Sequence, residues 1–299
     1  MPIFLETPES VALDLDDVLG ELKSCPTLGR DEILDKSHLL AGLSNNRHFL
    51  TDLINDELKD AYGLQSGNRY SSQVLFLGSG KDFIMRANFW PSARDAAVRA
   101  SGPEAFFYGL PHDHNFDFLT VGYYGPGYGS NFFEYENASV AGYPGEAVDL
   151  RYSCTASLAQ HSMIFYRKSV DVHEQLYPES FSISLNIVSN DYRETSHINQ
   201  FMFDTKSSRI RSLINRTSLP MICRAAAYMG DGETTEIMHA IARRHVDARS
   251  RFEAYRAMAQ LEGAHADRVW RRASGDPSRF VREQATLMLQ RLDASGEAA

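Results

Sequence analysis

The chain has 299 residues, 43% of them hydrophobic, which is enough to bury one large core or two modest ones and excludes a disordered or fibrous protein. A formal charge of −9 and a pI near 5.6 exclude the concentrated basic face needed to hold a phosphate backbone, so nucleic acid is not an expected partner. Cys25, Cys154 and Cys223 form no C-x-x-C pair, the N-terminus has no basic, apolar leader, and no run approaches ~20 apolar residues; the expectation is a cytoplasmic protein with no disulfide framework and no membrane partner.

From Leu13 to about Leu64 apolar residues recur at helical spacing, among them Ile33, Leu34, Leu40, Leu43, Phe49, Leu50 and Leu58, which predicts a few helices. The stretch GLQSGN from Gly63 has turn composition and closes this region. Between about Arg69 and Asp204 short aromatic and branched runs are punctuated by glycine, proline and asparagine. Strands are predicted for QVLFL from Gln73, DFIMRANFW from Asp82, EAFFYGL from Glu104, FDFLTVGYY from Phe116, SNFFEY from Ser130, AVDL from Ala147, SMIFYR from Ser162 and SFSISLNIV from Ser180. Strands at this spacing must close or cover their edges, which predicts a sandwich or barrel. Gly122, Gly125, Gly127 and Gly129 around Pro126 mark a tight turn and lack the strand-to-helix context of a phosphate loop.

After Lys206 the chain turns helical and rich in alanine, arginine and glutamate. Within it RFEAYRAMAQL from Arg251 and REQATLMLQRL from Arg282 superpose under a shift of about 31 residues, with Arg251 on Arg282, Ala254 on Ala285, Met258 on Leu289 and Leu261 on Leu292. The pattern resembles HEAT-type repeats. Two copies are fewer than a free-standing solenoid needs, so the tail is expected to pack on the barrel or to build a homodimer, with Arg243, Arg244, Arg249 and Arg251 solvated and paired with local glutamates and aspartates. The expected fold class is α+β: a helical segment over 1–67, an antiparallel barrel over 68–205 and a helical tail over 206–299.

The chemistry-bearing motif is His112-Asp113-His114, between two predicted strands. On an extended backbone residues i and i+2 point to one side, so both imidazoles can face one point inside a barrel. A third ligand must come from another strand. His173, in SVDVHEQLY, has the strand context; His161 is the rival, at the mouth of SMIFYR, where a turn is expected. Neutral imidazoles suit iron, copper, nickel and zinc alike, so three histidines do not choose the metal.

The pieces GSGKDFIMRANFW from Gly78, PHDH from Pro111, VDVHEQ from Val170 and SFSISLNIVSNDYRETSH from Ser180 together resemble the thiol dioxygenases, the cysteine dioxygenase group of the cupins. The resemblance covers a little under half the chain. It implies a cupin-like barrel in which His112, His114 and His173 hold Fe(II), with O2 as co-substrate and a small carboxylate-bearing substrate, an amino acid or derivative; departures from the family suggest a pocket repurposed for specialised metabolism. The acidic ligand of the general cupin pattern would fall at Phe118 or Leu119, and Asp117 points away from His114 on a regular strand, so the three-histidine version fits better.

In that family an upstream arginine fixes the substrate carboxylate; Arg69 lies near the matching place, and Arg86, on a strand entering the barrel, is the alternative. Of the serine, histidine and tyrosine that alternate along the family's late strand, this chain has Ser184, Asn186 and Val188, which leaves only the serine and argues against cysteine itself as substrate. Tyr108, Tyr123, Tyr166 and Trp90 are candidates to line the pocket or orient dioxygen, a role that competes with ordinary core packing. Two other classes of function stand beside the oxygenase: a cupin isomerase, lyase or hydrolase with a redox-inert metal, and a small-ligand-binding module whose tail recruits a protein.

Overall fold

The computed structural model describes residues 2–7, 11–59, 65, 68, 70–190, 198–214 and 218–296. Arg69, most of the GLQSGN turn and the DYRETSH part of the family resemblance lie outside the described residues. The chain divides into two compact units: residues 1–137, 147–196 and 200–209 form the first, and residues 138–146, 197–199 and 210–299 the second.

The first unit begins with strand β1 (Ile3–Leu5) and helices α1 (Leu15–Ser24), α2 (Arg30–Asp35), α3 (Ser37–Asn45) and α4 (Phe49–Lys59). Helix α1 carries Asp16 and Asp17 in its first turn and Lys23 in its last, matching the helix dipole, and buries Val18, Leu19 and Leu22 along one face. Then follow β2 (Val74–Ser79), β3 (Phe83–Trp90), a short helix α5 (Ala96–Ser101), β4 (Phe118–Tyr124), β5 (Gly129–Glu134), β6 (Arg151–Ser157), β7 (Met163–Tyr166), β8 (Asp171–Gln175), β9 (Ser182–Ser189) and β10 (Phe201–Asp204). An antiparallel sheet is ordered β1-β7-β4-β9-β3-β2, and a second is ordered β6-β5-β8.

Period-2 alternation gives the larger sheet two different faces. Leu75, Leu77, Met85, Ala87, Leu119, Val121, Phe165, Leu185 and Ile187 share a core with Leu22, Ile33, Leu40 and Leu43 of the N-terminal helices. The residues between them in sequence, Trp90, Phe118, Ile164, Tyr166 and Val188, share a second core with Phe132, Cys154 and Ala156 of the smaller sheet. Two antiparallel sheets therefore face one another across an aromatic interior, with helices covering the outer face of one.

The expected strand EAFFYGL does not form. Pro103 opens a 3-10 turn through Phe106, Phe107 adopts a left-handed φ of 60° and Gly109 one of 65°, so no pleat can run through them. AVDL is likewise not a strand beyond a single bridge from Ala147 to Arg209. The sheet gains instead β6, whose RYSCTAS alternates too weakly to stand out; only Cys154 and Ala156 turn to the core.

In the second unit, strand β11 (Arg209–Leu213) leads to helices α6 (Leu219–Met229), α7 (Gly232–Arg244), α8 (Ala248–Glu262), α9 (Ala266–Ala273) and α10 (Arg279–Gly296). Asp231 and Asp247 cap α7 and α8 through their side chains, and Phe252, Tyr255, Met258, Trp270 and Val281 fill the core. The two arginines paired by the sequence shift make equivalent bonds: Arg251 donates to the carbonyls of His245 and Val246, and Arg282 to those of Asp276 and Pro277, each reaching back to the turn before its helix. The expectation of solvated tail arginines fails at two positions. Arg251 is buried and paired with Asp276 at 2.7 Å, and Arg249 donates to Gly142 and Asn199 with its guanidinium over Phe280. A long side chain whose head finds carbonyls and a carboxylate no longer needs water.

Candidate metal centre

His112 and His114 lie on a short segment that runs beside β8 on one side and β10 on the other. His112 N–H donates to His173 O at 3.0 Å and His173 N–H returns the bond to His112 O at 2.9 Å, while Phe203 N–H donates to Pro111 O at 2.8 Å. The segment is thus held as an extra strand although its regular geometry is brief. Asp113, pointing the other way from both histidines, is fully buried; its carboxylate accepts from Phe201 N–H at 2.6 Å and from Tyr135 Oη at 2.7 Å. Desolvation pushes its pKa up to about 7 despite these donors.

The three imidazoles offer nitrogens that all lie within 4.8 Å of one another, and His114 Nε2 stands 3.0 Å from His173 Nε2. Two nitrogens each ~2.1 Å from a common ion are ~3.0 Å apart when they meet at a right angle, so the spacing fits a shared cation. His112 Nδ1 lies 2.7 Å from Leu110 O, which places the proton on Nδ1 and leaves Nε2 free to ligate. The Gln200 amide nitrogen lies 3.3 Å from His114 Nδ1 and 3.4 Å from the Asp113 carbonyl, beside that ring. Burial lowers the pKa of all three, His112 to about 4 and the other two well below the usual histidine range, with the neighbouring histidines and Arg86 adding repulsion at His114. Neutral imidazole is the ligating form, and the donor set therefore fits a divalent transition metal.

Aromatic rings wall the centre: Phe107 against His112 at 5.0 Å, Phe116 and Phe118 against His114 at 4.9 and 4.8 Å, and Tyr166 against His173 at 4.8 Å. Across the interior, Arg86 and Asn88 of β3 and Ser182, Ser184 and Asn186 of β9 are polar. Trp90 Nε1 donates to Ser184 Oγ at 3.0 Å, and Asn186 donates to Asn88 at 3.3 Å. Arg86 stands opposite Asn186 with its guanidinium 5.0 Å from the Tyr70 ring centre and its Nε enclosed without a partner. Burial lowers its pKa, and the titratable neighbours that offset this among the described residues are the phenols of Tyr70 and Tyr128, with no carboxylate.

Of the other expected residues, Ser184 shares the interior face with Arg86. Tyr108 is buried in the same core, with its hydroxyl donating to Pro91 O at 2.8 Å. Tyr123 lies on the helix-facing side of β4, where its hydroxyl donates to Asn46 O at 3.0 Å and its ring packs on Phe49. Tyr123 keeps the parity of Leu119 and Val121, which also face the helices, and so lies out of the centre. His161 sits at a left-handed φ of 63° with its Nδ1 3.5 Å from Ser44 Oγ, on the helix side, and is not among the clustered histidines. Asp117 is held by Arg30 at 2.9 Å and by Lys168 N–H at 2.7 Å, away from the three histidines. A cleft of about 300 Å³ lined by Arg47, Leu50, Tyr123 and Gln160 also belongs to the helix side and includes none of the three.

Fold and centre together define an antiparallel two-sheet protein with a buried three-histidine cluster. No family model matches the chain, and no curated protein matches it. Among solved structures it is similar to hydroquinone 1,2-dioxygenase from a Sphingomonas species (8% identity, 41% of this chain and 69% of that one, TM-score 0.28). It is also similar to a cupin domain from Bordetella pertussis (10% identity, 41% and 97%, TM-score 0.24) and to a DMSP lyase from Ruegeria pomeroyi (11% identity, 63% and 78%, TM-score 0.23). At such identities and scores these likenesses say nothing of this chain's activity. Among the described residues no helix is long and apolar enough to cross a membrane.

Proposed function

We propose that the chain is a cupin-type non-haem iron(II) oxygenase that uses O2 to oxidise a small carboxylate-bearing substrate. The observation that carries this reading is the cluster of three neutral, enclosed imidazoles whose free nitrogens converge inside an aromatic-walled space. His112, His114 and His173 would hold the ion, and bound iron supplies the electronic means of bringing dioxygen into reaction with a closed-shell substrate. Arg86 is the group that receives the carboxylate: its Nε is enclosed, unpartnered and free of a competing acid. Arg69 keeps this role as an alternative. The phenylalanines and Tyr166 around the imidazoles exclude water, and Trp90, by holding Ser184 Oγ, fixes the polar wall facing Arg86.

Oxygen consumption tests the reading. Iron-loaded full-length protein, screened with amino acids, hydroxy acids and aromatic acids, is expected to consume O2 only with substrate present, and zinc-loaded protein to consume none. Substrate turnover by the zinc form under argon would instead establish an isomerase, lyase or hydrolase.

A further inference from the structure

The three histidines do not exhaust the donors at the centre. Gln175 follows His173 by two residues on β8 and so shares its face; its side chain is buried, with 4% of the residue exposed. Its amide nitrogen lies 3.3 Å from His173 Nε2, the nitrogen that the centre uses, and its amide oxygen is enclosed with no hydrogen-bond partner. As placed, that N–H group meets the His173 lone pair, which serves as its acceptor only while no cation occupies it. Once the lone pair is given to an ion, that N–H group loses its partner while the amide oxygen already has none, an arrangement that proteins rarely tolerate.

Turning the amide over resolves the end that faces the ion. Oxygen and nitrogen of a glutamine side chain are nearly isosteric, and their assignment follows the hydrogen-bond network. The turned oxygen would take the place 3.3 Å from His173 Nε2, a separation typical of two atoms sharing one ion. The turned nitrogen then takes the enclosed place of the oxygen, on the face shared with Ser130, which stands directly across from Gln175 on β5.

We infer that Gln175 is a fourth protein ligand, giving a centre of three imidazole nitrogens and one neutral amide oxygen. The inference rests on the metal reading proposed above and adds a residue to it. Among the described residues no carboxylate belongs to this set: Asp113 is turned away and held by Phe201 and Tyr135, and Asp171 is held by the Arg167 guanidinium and backbone N–H. These four ligands are all neutral.

The test uses cobalt(II) as the probe, bound to full-length wild type, Gln175→Leu and Gln175→Glu, with affinity read by chelator competition and coordination by the visible d–d spectrum. Leucine is expected to weaken cobalt binding about tenfold or more and to shift and intensify the spectrum as a ligand is lost. Glutamate, a charged oxygen at the same place, is expected to bind about tenfold more tightly with a spectrum close to wild type. Affinities within about threefold for all three proteins, or a weakened leucine variant whose spectrum is unchanged, would overturn the assignment. Failure of the metal reading is distinct: wild type itself would then bind cobalt no better than His173→Ala.

Discussion

His112 and His173 exchange both of their backbone hydrogen bonds, at 3.0 and 2.9 Å, so two of the clustered imidazoles are set by one main-chain pairing rather than by loops. The strand neighbouring His173 on its other side is β5, where Phe132 is its partner in register. A side chain positioned by backbone on both flanks needs little reorganisation to take up a ligand.

The carboxylate between the two histidines supports this pairing from behind. Asp113→Ala leaves Tyr135 Oη and Phe201 N–H without their acceptor in a dry setting. It is expected to cost about 2–3 kcal/mol of stability by urea denaturation and to weaken metal binding about tenfold or more.

Arg86 is expected to act on substrate and not on metal. Arg86→Leu should raise the substrate concentration for half-maximal oxygen uptake by about ten- to a hundredfold, with metal content unchanged and Arg86→Lys intermediate. Unchanged half-saturation in the leucine variant would move the role to Arg69.

Two glycines separate strain from collision. At Gly109, with φ at +65° and open space around the missing Cβ, alanine pays only for the left-handed backbone, about 1 kcal/mol. At Gly127, φ is +80° and a Cβ would strike the carbonyl of Leu158, so alanine should cost about 3 kcal/mol or more. Thermal denaturation of both variants compares them directly.

In the helical unit, Arg251 and Asp276 form a buried ion pair that also ties down the turn carbonyls of His245 and Val246. Arg251→Ala is expected to destabilise this unit by about 3–5 kcal/mol, because Asp276 is left buried and unpaired. Arg282→Ala, lacking a buried carboxylate partner of its own, should cost about 1 kcal/mol. Hydrogen exchange in α8 and α10 reads both.

Much of the centre could be read from spacing alone. His112 and His114 obey the period of an extended chain, and His173 sits in a clear strand. Gln175 also follows His173 by two residues, but an amide carries no metal-ligand signature, so nothing in the sequence singled it out. Asp113 was hidden between the histidines, since its role depends on Phe201 and Tyr135, distant in sequence. Tyr123 misled because nothing in the strand's own residues tells which face of β4 the helices cover; it shares the face of Leu119 and Val121. The EAFFYGL run failed as a strand because its composition says nothing of the left-handed turns at Phe107 and Gly109. The arginines of the tail looked solvent-facing because their partners, Gly142, Asn199 and Asp276, lie far off along the chain.

If His112, His114 and His173 hold one metal ion, metal analysis of anaerobically purified wild type, His112→Ala and His173→Ala will find close to one iron per chain in wild type and little in either variant, with secondary structure retained by circular dichroism. Wild type without metal, or variants that keep it, would overturn the three-histidine centre and leave the space between the two sheets as a site for a small ligand alone.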